Sequence, residues 1–117
     1  MKAILLSIIL CCSFTVGFSQ QPKASVSVSD VVLLDFRASW CGYCQRMAPL
    51  VKHISDAGLT VQHIDVDVEH NMVDQFAVRG VPCYVLLVKG KEVGRINGAT
   101  TYFEFQKLFA KIHSIKR

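Results

Sequence analysis

Trp40-Cys41-Gly42-Tyr43-Cys44 lies between an apolar run, Val31-Val32-Leu33-Leu34-Asp35-Phe36, and a helical pattern carried by Met47, Ala48, Leu50, Val51 and Ile54. Two cysteines two residues apart can close a small disulfide ring or hold a soft metal between them. The flanking patterns put this pair where a buried strand hands over to a helix. There Cys41 receives the positive end of the helix dipole and free backbone N–H groups, which favour thiolate over thiol. A strand–CxxC–helix order reads as a redox motif in a βαβ setting.

The rest of the chain reads outward from that stretch. Val31–Phe36 is apolar apart from Asp35, as expected of a strand covered on both faces. The helix is expected from about Cys41 to Ala57, kinked by Pro49 and ended by Gly58. Thr60–Val66 alternates and is β-branched, a strand. Glu69–Val78 has a helical period with Met72, Val73 and Phe76 on one side. Cys83–Val88 reads as a buried strand, turned back by Lys89-Gly90-Lys91 into Glu92–Ile96. Thr100 or Thr101 caps a last helix with an apolar stripe of Phe105, Leu108, Phe109 and Ile112. Crossover helices between the early strands imply parallel pairing, with the last hairpin antiparallel to it.

The 117 residues, 51% of them hydrophobic, make one α/β domain with a single core and argue against disorder. The net charge of +4 is scattered, without a basic stripe interleaved with aromatics, so no nucleic-acid partner is expected. Met1-Lys2, the apolar run Ala3–Val16 and Gly17-Phe18-Ser19 have the three-part pattern of a signal peptide over 1–19, cleaved after Ser19. The alternative is an uncleaved membrane anchor, although the apolar run is short against the ~20 residues needed to span a bilayer. Cys11 and Cys12 also admit a lipoprotein reading, disfavoured by the bulky residues before them. Cleavage leaves Cys41, Cys44 and Cys83 of the five cysteines, in an exported protein (periplasmic or secreted) whose compartment lets disulfides persist. Residues 20–29 form a flexible lead-in, with room for a short edge strand at Val26–Val28, and 30–117 form the domain.

Leu34-Asp35-Phe36-Arg37-Ala38-Ser39-Trp40-Cys41-Gly42-Tyr43-Cys44 with Met47-Ala48-Pro49 resembles the active-site block of the thioredoxin family. Val78-Arg79-Gly80-Val81-Pro82 resembles its loop before a cis-proline, and Gly98-Ala99 its C-terminal turn. The resemblance covers about Val31 to Lys111. It implies the thioredoxin fold, a central mixed sheet of four to five strands flanked by helices, and thiol–disulfide exchange without a further cofactor. Cys41, the more exposed of the pair in family members, is then the nucleophile and Cys44 resolves the mixed disulfide. A structural disulfide or zinc pair is the other reading, but a zinc site needs further ligands and no second CxxC or CxxH exists.

The same resemblance gives the neighbouring residues their roles. Asp35, costly to bury ionised, relays a proton to or from Cys44, often through water, or is a strand-end carboxylate bonded to backbone. Val81 and cis-Pro82 present backbone groups to an extended substrate, with Trp40, Gly42 and Tyr43 as a rim and Gly98 beside them. Tyr43 departs from the commonest CGPC form, a position that tunes redox potential. Arg37 stands where many members have tryptophan; it either favours the thiolate or is solvated. His63 stands where relatives often carry a lysine; it either makes the relay pH-sensitive or packs. Cys83 follows the proline where threonine is usual, and is either an apolar filler or a third sulfur beside the pair. His53, His70 and His113 read as surface residues.

Expected partners are cysteine-containing exported proteins and a redox partner that recycles the pair, for a monomer with no membrane span after cleavage. A different class of function keeps the fold as a binding module, for instance a Cu(I) chaperone using Cys41, Cys44 and Cys83.

Overall fold

The computed structural model describes residues 30–115, so the leader, the lead-in, the Val26–Val28 strand, Cys11 and Cys12 lie outside the described residues. β1 (Val31–Arg37) occupies an inner position of a four-stranded sheet of order β2-β1-β3-β4. Its alternation explains the nearly continuous apolar run. Val31 and Leu33 pack with Met47, Val51, Ile54, Phe105 and Leu108 on one face. Leu34 and Phe36 pack with Ile64, Val85 and partly buried Met72, Val73 and Phe76 on the other.

The crossover through α1 (Gly42–Asp56) brings β2 (Thr60–Asp65) parallel to β1, with Asp35 opposite His63. The second connection does not repeat it: β3 (Cys83–Val88) runs antiparallel to β1, and β4 (Lys91–Asn97) antiparallel to β3. The hairpin turn is two residues, Lys89 and Gly90, both at positive φ (52° and 78°), the twist that suits a tight hairpin; Lys91 already belongs to β4. At Gly94 a Cβ would lie 2.6 Å from Leu108 Cδ1 and 2.9 Å from Lys111 Nζ, so its bare backbone lets α3 (Tyr102–Ile115) lie close on β4.

α1 starts one residue later than expected, because Cys41 is extended (φ −82°, ψ 104°) and serves as the N-cap. Pro49 lies inside the helix, where it lacks an N–H for the helical ladder. α2 (His70–Gln75) is shorter than the expected 69–78. Ala77 takes a left-handed φ of 49°, and the N–H groups of Ala77 and Val78 turn back to the carbonyls of Asp74 and Val73, closing the helix in a Schellman motif. In α3, the Phe105 N–H bonds the Thr101 carbonyl, which makes Thr101 rather than Thr100 the residue flanking the helix.

Candidate active site

The end of β1, the start of α1 and the loop before β3 meet at one edge of the domain. Cys41 and Cys44 are joined in a disulfide, with Cα atoms 5.3 Å apart. As N-cap, Cys41 aims its sulfur into the first turn, where it accepts the Cys44 N–H at 3.1 Å. That donor and the helix dipole offer charge stabilisation to Cys41 that Cys44, already within the helix, does not share. Burial does not tell the two apart: they are 5% and 6% exposed, so the asymmetry between them here is one of helix position rather than exposure.

Both aromatic residues flanking Cys41 lie at the surface. Trp40 is 69% exposed and Tyr43 59%, although neither is loose. The indole N–H donates to Asp67 Oδ2 at 2.9 Å, and the Arg46 guanidinium sits 5.0 Å from the centre of the Tyr43 ring. Asp67 was not identified by sequence, since nothing in the chain order ties a residue of the β2–α2 loop to Trp40. Gly42 opens α1, and a Cβ there would meet nothing within 4 Å, leaving the surface beside the disulfide open.

The Val81–Pro82 bond is cis, as expected, and Val81 packs against the cluster of Ala38, Cys41 and Cys44. The Gly98 N–H bonds the Pro82 carbonyl at 2.8 Å, which ties the loop to the end of β4. Neither backbone polar group of Val81 is hydrogen-bonded within the described residues. A mostly apolar groove lined by Trp40, Val66, Val73, Val78 and Val81, with Arg79 also on its wall, lies next to it.

Asp35 is 1% exposed, and it is not bonded to backbone. Its Oδ2 accepts from Arg37 Nε at 3.0 Å and Arg37 Nη2 at 2.6 Å, and lies 2.8 Å from His63 Nδ1. Arg37 and His63 both contact the buried carboxylate, Arg37 with a third of its side chain exposed and His63 with about half. Tyr84, opposite Asp35 on β3, has its hydroxyl held protonated, first by burial and then by the Asp35 charge.

Cys83 is fully buried in the cluster of Leu34, Phe36, Ile64 and Val85, its thiol pointing to Asn97 Oδ1 at 3.4 Å. Val66 and Val81 pack against both this cluster and that of the cysteine pair, so Cys83 is a core side chain rather than a third sulfur in the active-site cluster. Burial pushes its thiol up, with Arg95 lowering it and Glu92 raising it to lesser degrees. Among the described residues no group of three or more His, Cys, Asp or Glu is placed to hold a metal ion. His53, His70 and His113 are exposed, His53 against the Tyr102 ring.

A cysteine pair at a helix N-terminus, facing a cis-proline loop with unpaired backbone groups, defines a dithiol–disulfide oxidoreductase. The chain belongs to the thioredoxin family, whose model, Thioredoxin, matches residues 18–112. It is 32% identical over 95 residues to a thioredoxin of Chlamydia trachomatis, covering 80% of this chain and 93% of that protein. Among solved structures it is similar to a thioredoxin of Nicotiana alata, with 33% identity, 76% of each chain covered and a TM-score of 0.66. An N21Q mutant thioredoxin of Halobacterium salinarum matches at 38% identity over 68% of this chain and 71% of that one, TM-score 0.64.

Proposed function

We propose that this disulfide oxidoreductase acts on cysteine-containing proteins outside the cytoplasm, as an exported monomer recycled by a separate redox partner. The observation that carries the mechanism is the Cys44 N–H donated to the Cys41 sulfur at 3.1 Å. It supports Cys41 as the thiolate that attacks a substrate disulfide. Cys44, one turn into α1, then displaces the substrate from the mixed disulfide. An extended substrate segment pairs with the unbonded N–H and C=O of Val81, adding a strand to the loop that Pro82 and Gly98 hold in place. Trp40, Gly42 and Tyr43 border its cysteine. Asp35 takes the proton that Cys44 must lose.

Export is supported by residues 1–19, with their single Lys2 ahead of an apolar run and the small-x-small Gly17-Phe18-Ser19. The soft-metal chaperone reading gains no support from the geometry, because Cys83 lies in a different cluster from the pair.

The test is equilibration of the Cys41–Cys44 pair against glutathione, with trapping of substrate by Cys44→Ser. A strongly negative potential makes this a reductase needing an electron donor, and a value toward the oxidising end makes it a disulfide donor or isomerase. Cys41→Ser is expected to abolish turnover, while Cys44→Ser accumulates mixed disulfides. Full activity in both variants, or no measurable redox couple, would overturn the proposal.

A further inference from the structure

Arg37 reaches two places at once. On one side its guanidinium donates twice to Asp35 Oδ2. On the other it lines an open cleft together with Ala38, Cys44, Ala48 and Asp65. His63 Nδ1 meets the same Oδ2, so three donor atoms converge on one oxygen, while Asp35 Oδ1 has no hydrogen-bond partner among the described residues. The charged and titratable groups facing the carboxylate can be placed element by element. Arg37 on its own strand and His63 on β2 touch it, Tyr84 on β3 lies opposite it in register, and Asp65 on β2 and Cys44 on α1 line the cleft that Arg37 borders. α3 turns only Phe105 and Leu108 to this face as buried side chains.

We infer that Arg37 is a positioning residue of the exchange reaction, holding the Asp35 carboxyl with one oxygen occupied and the other left to receive the Cys44 proton. The inference rests on the thiol–disulfide exchange proposed above. A carboxylate at 1% exposure loses nearly all its hydration, and a guanidinium cannot be deprotonated at any working pH. Arg37 therefore keeps the base available where a neutral side chain at this position would favour the neutral acid. The cleft shared by Arg37 and Cys44 gives the proton a route through solvent. In the resolving step the Cys44 S–H gives its proton to Asp35 by way of water. The resulting thiolate attacks Cys41 Sγ, and the Cys41–Cys44 bond forms as the Cys41–substrate bond breaks. The substrate sulfur leaves as a thiolate and is protonated by solvent. Two electrons pass from the dithiol to the substrate, and Asp35 returns its proton to water.

Trp40 is the only tryptophan of the chain and adjoins Cys41, so its fluorescence can follow oxidation of the pair. The experiment is single-turnover oxidation of the reduced protein by saturating insulin between pH 5.5 and 9. The Arg37→Leu variant is expected to move the acidic limb of the rate profile upward in pH, with the largest slowing at the acid end of the range and convergence with wild type at alkaline pH. Arg37→Lys restores most of the limb, and in an Asp35→Asn background Arg37→Leu adds no further displacement. Arg37→Gln serves the same comparison if the leucine variant does not fold. A rate lowered by one factor at every pH, an unmoved limb, or an equal displacement without Asp35 overturns the inference while leaving the exchange reaction standing. A wild-type protein that never oxidises overturns both.

Discussion

Gly98→Ala separates what the cis-proline loop contributes from what the cysteines contribute. Gly98 has a φ of +91°, where an L side chain is strained, and its N–H is the donor that holds the Pro82 carbonyl at 2.8 Å. An added Cβ meets no heavy atom within 4 Å, so crowding plays no part and the cost is that of the backbone. Holding an alanine at such a φ costs about 1–2 kcal/mol. If the backbone instead relaxes, the bond to Pro82 is lost, worth about 1 kcal/mol. Both routes give a similar fall, and for a domain of this size that is a drop in Tm of about 5–15 °C. The second route also moves Val81, whose free backbone groups are the proposed substrate contact. A circular-dichroism melt measures the first effect. For the second, reduction of insulin is compared with reduction of the small aromatic disulfide 5,5′-dithiobis(2-nitrobenzoate), which has no chain to pair with Val81. Insulin turnover is expected to fall several-fold more than turnover of the small disulfide. An unchanged Tm would refute the strain argument, and equal losses on both substrates would refute the docking role of the loop.

The remaining predictions concern buried groups. Cys83 is expected to resist iodoacetamide in the reduced native protein at pH 8 and to react on unfolding, since burial both shields its thiol and holds it protonated. Mass spectrometry locates the label, and rapid labelling of Cys83 in the native state would contradict its placement in the core. Tyr84 is also held protonated, so the unfolded chain releases a proton that the folded one keeps once the pH rises above the ordinary tyrosine value of 10.0. Stability then falls with rising pH, and Tyr84→Phe should flatten that alkaline slope in urea unfolding. An unaltered slope would show that Tyr84 ionises freely.

What could be read from the sequence was whatever is set by neighbours in the chain. The alternation of Val31–Phe36 and the strand-to-helix change around Trp40–Cys44 place the pair correctly, because strand and helix periodicities are local. The Asp35–Arg37 contact was within reach of the same logic: residues i and i+2 of a strand share a face, and a buried carboxylate next to a cation two positions on is a pair waiting to be read. His63 required the register between β1 and β2, and Asp67 required the path of a loop. Neither leaves a local signal. The early end of α2 was missed because its apolar spacing continues to Val78 although the helix does not. Val73 and Val78 still meet, but through the Schellman turn that Ala77 makes, so a hydrophobic contact imitates helical period without helical backbone.

Arg37 and His63 make sense together rather than singly. A buried carboxylate needs a counter-charge that does not itself fill the site. At position 63, opposite Asp35 in register, a histidine is a cation only when protonated, and its side chain is 54% exposed. Arg37 supplies a constant charge from the same face of β1, at 2.6 Å, while the rest of its side chain borders the cleft to Cys44. With a permanent cation at 37, the charge held beside Asp35 does not depend on His63 alone. The dependence is directional. His63→Gln should leave the acidic limb of the exchange rate close to wild type while Arg37 is present, and displace it further once Arg37 is leucine. Equal effects of His63→Gln in both backgrounds would mean that the two residues act on Asp35 independently.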